Sequence, residues 1–585
     1  MSTTRNPIQY TSRSYERILA DINSDPELVD KPAWFKRIWA GVGDVISMWN
    51  NSVANLAFLR TAFTKQAIVD HLEMLDYYLT RPTTSSGVQV FNLQDSAVLP
   101  LFINKSDLKA TLTGGSNASS LPYISRSNTT VSSVTSTFTA SAGTDLITIP
   151  TAGNWGYTGV KVKLSSSGTL PAGLSAQSYW LIAVTDTTFK LAASLADAMA
   201  GTFIDIADAG TGTHTLEVRA AIVTCYQQDS KPEYAAGKSD GSSIWQEFNL
   251  VDLDLIIGTE VVTINSVVWT RVDSFVDSQP TDTHYRLLSR TDGTPYLRFG
   301  NGTYGAIPAA FDIMVAYATG GGTSSNVSST NRITSYSGAD SNIEATFNAT
   351  VFNGGAAEES TENAKRLAPI LLKAQNRFIT TADGEALSKS YGGVARVKIN
   401  RNYYGPLSAQ VIVVPTGGGA PSPALVSGLE AFLISRSLFE EPNIVVEAPT
   451  YIAINFTSAF KPLPGYLFAD VQPLYDLAVK LLFSEVTSEI VDTYIGSDIA
   501  DAVDSINNIF STSFTIDDYE AIQRLLDNIP LFEFGASIQQ SDVLGFLDSF
   551  VTGVDYLTVA SPSFPITFTG SETSTDGTVT TTEIV

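Results

Sequence analysis

The residues that could do chemistry are few and poorly spaced for it. Three histidines occur, His71, His214 and His284, and none belongs to a His-Glu-x-x-His or similar zinc-ligand pattern. Asp252-x-Asp254, in NLVDLDLII, offers two carboxylates to a hard cation. Read as an alternating strand, the pair falls instead on one solvated face. The glycine-rich stretches Phe299 to Gly305 and Gly320 to Gly322 are not followed by Gly-Lys-Ser/Thr, so they read as turns and not phosphate cradles. Glu358, Glu359 and Glu362 could be taken for an acid/base set. Their place at the start of a helix explains them, because a helix N-terminus favours anions. Tyr179 and Trp180 could stack on a sugar, but in a compact β module such rings belong to the core. The single cysteine, Cys225, cannot form an internal disulfide and fits a chain made in a reducing cytoplasm. The residues therefore predict no catalytic, cofactor or metal site.

Composition narrows the class further. The chain has 585 residues, 44% of them hydrophobic, and carries 59 acidic against 35 basic side chains, a formal net charge of −24. Length alone suggests about three to four domains. Such acidity repels a phosphate backbone, so nucleic acid is not expected as a partner. The opening MSTTRNPIQY has no signal-peptide pattern and no later run has membrane-helix length, which predicts a soluble protein without a membrane partner. Triplets such as Asn104-Lys-Ser and Asn348-Ala-Thr are chance products of a Ser/Thr-rich chain.

The periodicity changes along the chain. Residues 1–82 read as helical: Ser12 to Ile22 is a short amphipathic piece ended near Pro26, and Pro32 sits where a long helix could begin. Ile38, Val42, Val45, Trp49, Val53, Leu56 and Phe63 then recur by threes and fours, with one slip, in a segment that counted from Pro32 would extend about 50 Å at the usual helical rise. Gly41 and Gly43 weaken that rod by roughly 1 kcal/mol each relative to alanine, so it needs something to dock on.

From residue 83 to 330 the period becomes two. Val88 and Val90, Leu250 to Val262, Val267 to Val272, Tyr285 to Leu288 and Ile313 to Tyr317 read as strands of a mostly antiparallel β domain. Asn301-Gly302 is its strongest hairpin signal, a type I′ turn. Residues 130–219 lose charge, gain Ser, Thr, Ala and Gly, and read as an inserted β module with strands Val160 to Leu164, Tyr179 to Val184 and Phe189 to Ala192. A helix pair and α+β module fill 331–460, and a helical or mixed region fills 461–565. Thr515-x-x-Asp518 opens a helix there, stopped by Pro530. The Thr-rich stretch 566–585 reads as a tail, or as an extended arm stabilised by a neighbour. The fold class is α+β and multidomain.

The most informative segment is NGGAAEESTENAKRLAPILLKAQNRFITTADGEALSKSYGGV, Asn353 to Val394. A turn at Asn353 to Gly355 leads into a helix bearing Ala364, Leu367, Ala368, Leu371, Leu372 and Gln375, with Lys373 and Arg377 towards its end. Pro369 should kink or split that helix. Thr380-x-x-Asp383 is a capping box for a second helix, closed by Gly392 and Gly393 before a strand from Val394 to Ile399. Strand Ala409 to Val414, helix Pro423 to Ile434, a strand Ile444 to Phe460 broken at Pro449, and helix Phe468 to Phe483 follow. This order predicts an antiparallel sheet with helices on one face.

The ordered string Gly354-Gly355, Glu358, Ala364, Arg366, Ala368-Pro369, Arg377, Thr381, Asp383, Leu387 and Gly393 to Arg396 resembles the baseplate J-like family of contractile-tailed phages, which includes baseplate wedge proteins. The resemblance continues through Val411 to Ser437 and Val446 to Phe456. Upstream it takes in Val267 to Phe275, Phe299 to Pro308, Thr319 to Val327 and the junction Leu72, Leu75 and Tyr78 to Pro82. The shared order over nearly the whole chain is the specific signal, since each piece is mostly Gly, Pro and apolar punctuation.

That resemblance implies a structural virion part, assembled in the host bacterial cytoplasm, that rings the central hub of the tail baseplate. It implies as partners a second copy of the chain, a companion wedge protein, and hub and sheath-proximal proteins. It implies that Ile38, Val42, Val45, Trp49, Val53, Leu56 and Phe63 face other chains. A bacterial contractile injection particle would use the same part. A host-binding fibre or adhesin would instead show repeats or a trimeric heptad tail, and neither is evident. The purified chain is expected to have no hydrolytic or metal-dependent turnover; esterase or wall-degrading activity abolished by one serine or carboxylate substitution would contradict this reading.

Overall fold

The computed structural model describes residues 14–584 apart from 26, 27, 29, 76, 113–121, 151, 152, 291, 438–442, 497, 498, 511, 533–536 and 569–571. It is a multidomain α+β protein with helices at its N-terminal end and sheets that are mostly antiparallel. Among the described residues, no helix is long and apolar enough to cross a membrane.

Helix α1 spans Tyr15–Ser24, α2 Ala33–Leu56 and α3 Lys65–Glu73. Pro32 is the N-cap of α2, as its fixed φ allows. The rod is shorter than the spacing predicts. Its 24 residues rise about 36 Å, and the chain then turns. Ala62 N–H donates to Phe58 O and the Thr61 hydroxyl to Asn55 O, so Phe63 lies beyond the helix, where the apolar spacing slips.

A six-stranded sheet is built around the neighbours Ser86–Leu93 and Ala220–Gln227. Between its strands the chain closes a separate barrel, ordered Thr188–Ala192, Leu146–Thr148, Thr135–Ser141, His214–Val218, Lys161–Ser166 and Ser178–Ala183. The turn Thr185 to Thr188 is made as its residues suggest, with Thr185 Oγ1 accepting from Thr188 N. Tyr179 is core, while Trp180 lies half-buried beside Lys161. The barrel core also takes in Val90 and Phe347 from the six-stranded sheet. Lys161, nearly buried, pairs with Asp95 and Glu344 across the same joint.

A seven-stranded sheet follows, with Val267–Arg271 at its middle and Val261–Ile264 paired to Asp312–Thr319. Two local readings fail in it. Residues 250–260 are mostly turn, with Gly258 at φ 83°, so Asp252 and Asp254 do not share a strand face. Asp252 instead accepts from the Tyr317 hydroxyl and pairs with Lys231. Asn301-Gly302 is no type I′ hairpin. The Asn301 side chain accepts from Thr303 N and Tyr304 N, an Asx turn that needs positive φ at Gly302 alone, and Pro295–Phe299 pairs elsewhere.

In the C-terminal half the patterning is well obeyed. The capping boxes at Thr380 and Thr515 are both formed, and helix Phe468–Phe483 begins and ends where its apolar spacing does. Pro369 does not split Thr361–Ala374, which stays one helix. Its Ala364, Leu367, Ala368 and Leu371 are buried, so packing holds the turn that loses the proline N–H. The sheet Val394–Arg401, Ser408–Pro415 and Asn443–Glu447 is mixed, not antiparallel: its last pair is parallel, connected through helix Pro423–Ser435. Thr450–Pro462 belongs to a different sheet, beyond the break at Pro449. The Thr-rich end is neither tail nor neighbour-held arm in the described residues: Glu572–Glu583 pairs in parallel with Thr450–Pro462 of its own chain.

The strand Thr129–Val131 lies against Ala220–Gln227, so the barrel leaves and rejoins the sheet at adjacent points. We propose on this basis that the barrel is separable. Replacing 133–218 by a short Gly-Ser link is expected to preserve a cooperative melt, lowered by roughly 1.5–3 kcal/mol for each large side chain, Val90 and Phe347, that loses its cover. Loss of the transition in calorimetry would show instead that the barrel is integral to the sheet.

Candidate interaction surface

Helix α2 buries almost none of its apolar surface. Of its residues, Ala40, Ser47 and Asn55 are buried. The side chains of the stripe stay in water: Ile38, Val42, Val45, Trp49 and Val53 are all exposed, Trp49 at 64%. Leu56 is half-buried, and Phe63 is exposed beyond the helix end. Trp34, Trp39 and Ile46 join them. At 100° per residue these positions cover an arc of about 140°, wider than the stripe a surface helix normally turns to a core.

Helix α1 packs antiparallel on the other side and leaves that arc open. A Cβ at Gly43 would sit 3.0 Å from Ile18 Cδ1, so the glycine that costs helix propensity is what lets α1 approach. Polar bonds fix the same seam. Tyr15 N donates to Asp44 Oδ1 at 3.1 Å, and Lys36 Nζ donates to Asn23 Oδ1 at 3.2 Å. Gly41 meets nothing within 4 Å.

The arm is held at its base. Ala62, Ile68 and Leu72 pack on Ala364 and Ala368 of helix Thr361–Ala374, where small residues allow close approach. His71 Nε2 lies 2.8 Å from Leu56 O, Lys365 Nζ donates to Ala62 O at 2.6 Å, and Lys65 pairs with Glu358 at 2.9 Å.

From there a strap, residues 77–86, runs into the body. Glu359 is the carboxylate that holds it: both oxygens accept from the Tyr77 hydroxyl at 2.8 Å, one accepts from Thr80 N at 3.2 Å, and Asn363 Nδ2 donates at 3.0 Å. Arg81, 5% exposed, donates to Leu253 O, to Ser289 Oγ at 2.7 Å and to Gly293 O at 3.2 Å. Thr83 bonds Ala356 and Gly322 through its backbone, and Ser86 Oγ lies 2.6 Å from Ser422 Oγ. The sequence gives no periodic signal for this strap. Its one visible trace is the pairing of a buried-type Tyr and an Arg with flanking Thr and Ser.

Of the acidic trio, Glu358 and Glu359 precede the helix and are tied to the strap and to α3, while the side chain of Glu362 lies outside the described residues. The three histidines are far apart in role. His214 bonds Ser166 and Ala209 inside the barrel, and His284 bonds Ser278. Among the described residues no group of His, Cys, Asp or Glu could hold a metal.

No family model matches the chain, and no curated protein sequence matches it. Among solved structures, it is similar to a chain of the 6-fold symmetrised cryo-EM structure of the anti-feeding prophage (AFP) baseplate. That overlap covers 97% of this chain and 90% of the other, at 10% identity and a TM-score of 0.27. It is also similar to a chain of the TssK-TssF-TssG baseplate subcomplex of a type VI secretion system, covering 72% of this chain and 96% of that one, at 10% identity and a TM-score of 0.30. Overlaps this shallow carry no argument of their own.

Burial raises the pKa of Glu359 above the ordinary carboxylate value, against the opposing pull of its hydrogen bonds to Tyr77, Thr80 and Asn363. A raised folded pKa means that the stabilising contribution is complete below the unfolded value and is lost as pH rises through the folded one. Glu359→Gln lacks this titration. Its stability relative to the parent is therefore expected to improve as pH is raised from 4 towards neutrality, read by denaturant melts; a difference that stays flat or falls with pH would refute the assignment.

Proposed function

We propose that the chain is a structural wedge subunit of a contractile tail baseplate, joining a ring around the central hub and passing the host-binding signal to sheath contraction. The observation that carries this reading is the open apolar arc of α2. Aromatic and aliphatic side chains on a helix that the described residues leave in water are the composition of an interface core. The resemblance of the ordered motifs from Gly354 to Arg396 supplies the kind of assembly. Those motifs fold as one unit: Gly354 takes φ 86°, the capping box at Thr380 forms, and Gly392 and Gly393 take φ 89° and 73° before strand Val394–Arg401.

In this reading Ile38, Val42, Val45, Trp49, Val53, Leu56 and Phe63 pack against a second copy and a companion wedge protein. Hub and sheath-proximal proteins meet other faces. The work is mechanical and needs an interface with two arrangements, not a reacting group.

Trp49→Ala tests it. Because Trp49 is solvent-exposed in the single chain, its loss should change the melt of the isolated protein by no more than about 0.5 kcal/mol. Assembly with the companion wedge protein, followed by sedimentation, should weaken by about 2 kcal/mol or more, roughly thirtyfold, as for an interface hot spot. A lowered monomer melt with unchanged assembly would end the proposal.

A further inference from the structure

One cleft reverses the charge of the chain. It has a volume of about 680 Å³ and lies where the strap, the seven-stranded sheet, the strand Ala220–Gln227 and the helices Thr381–Ser390 and Pro423–Ser435 meet. Its walls carry Arg81, Arg126, Arg271, Arg286 and Arg436 but only one carboxylate, Asp273, in a protein with 59 acidic and 35 basic residues. Arg271 is paired with Glu260 at 3.1 Å and Arg436 with Asp273 at 3.2 Å, so the five guanidinium groups exceed the carboxylates that meet them, and low-dielectric walls focus the remaining positive field.

Three of the arginines are seated on aromatic rings of the same walls. Arg126 lies 3.9 Å from the centroid of Tyr226, Arg436 3.8 Å from Phe432 and Arg286 5.0 Å from Tyr78. Stacking fixes the plane of a guanidinium and leaves its edge for bidentate contact with a carboxylate. Arg126 has no ion-pair partner among the described residues; its Nε donates to Gln228 Oε1 at 3.0 Å. Arg81 is buried, and its Nε has no hydrogen-bond partner among the described residues. Arg436 is held by Asp273 at 3.2 Å across the cleft, and the Asp273 side chain is 78% exposed, so an incoming carboxylate can replace it.

We propose that this cleft is a docking slot for an extended, carboxylate-rich peptide segment of a neighbouring protein. Two features favour peptide over nucleic acid: the chain as a whole carries a net charge of −24, which repels a long phosphate backbone, and the cleft holds only about 680 Å³. The slot is independent of the α2 arc, so either can fail without the other.

The test titrates hexaglutamate into the full-length chain by calorimetry at low ionic strength, with hexaglutamine, inorganic phosphate and a thymidine hexanucleotide as comparators. Hexaglutamate should bind, weaken with added salt, and weaken about tenfold or more in the double variant Arg126→Glu/Arg286→Glu, since like charges then face the probe. Asp273→Asn, which removes the internal competitor for Arg436, should tighten binding about threefold, a gain of about 0.65 kcal/mol that misfolding cannot mimic. No hexaglutamate binding, or affinity unchanged by both substitutions, overturns the slot. Binding of phosphate or the hexanucleotide at least as tight as the peptide overturns its peptide character. Should the double variant not fold, the Asp273→Asn result decides alone.

Discussion

The burial of the Glu359 carboxylate against the Tyr77 hydroxyl and the Thr80 amide determines where the helical arm leaves the body. A carboxylate taken out of water is costly unless its lone pairs are met, and here they are met by the strap itself. The strap cannot shift without leaving that charge unpaired. Arg81 repeats the logic four residues on: its two terminal nitrogens donate to the Ser289 hydroxyl and to the carbonyls of Leu253 and Gly293, in turns beside the seven-stranded sheet, while its Nε is left without a partner among the described residues. Two opposite charges, each buried and each bonded to a different module, thus set one short segment as the common joint of arm, sheet and α+β module.

How much of this was legible depended on whether local physics decided the outcome. Helix Phe468–Phe483 and the boxes at Thr380 and Thr515 could be read because caps and apolar spacing act within a few residues. Asn301-Gly302 misled because asparagine can bond the backbone two residues on as readily as it can take positive φ. Pro369 misled because burial of the alanine and leucine face outweighs one missing hydrogen bond. The end strand Glu572–Glu583 was invisible: its partner Thr450–Pro462 is remote in sequence, and parallel pairing leaves no turn between them.

The candidate surface was legible as a stripe but not as a state. Spacing alone placed Ile38 to Val53 on one face, yet the same spacing fits a helix packed on its own core. What separates the two is the position of α1. Gly43 and Asp44 receive it on the far side of α2, so the arc between Trp34 and Trp39 has no intramolecular cover among the described residues. The cleft was not legible at all, because its arginines come from residues 81, 126, 271, 286 and 436, and only the fold collects them.

The two sides of the cleft are not tied with equal strength. On one side the strap is fixed by buried, multiply bonded charges, whose rupture would strand an uncompensated ion. On the other, Arg436 and Asp273 form a pair in which the carboxylate is mostly in water, and such pairs contribute about 0–1 kcal/mol. Were the α+β module and the seven-stranded sheet drawn apart, the Arg436–Asp273 pair would be expected to part before the bonds of the strap. The same strap carries the arm, so under the proposed function a displacement of α2 by a partner would be delivered to the wall of the cleft that holds Tyr78 and Arg81. The proposed mechanical role would need a stiff joint beside a weak one, and residues 77–86 and the Arg436–Asp273 pair have those characters on opposite faces of one cavity.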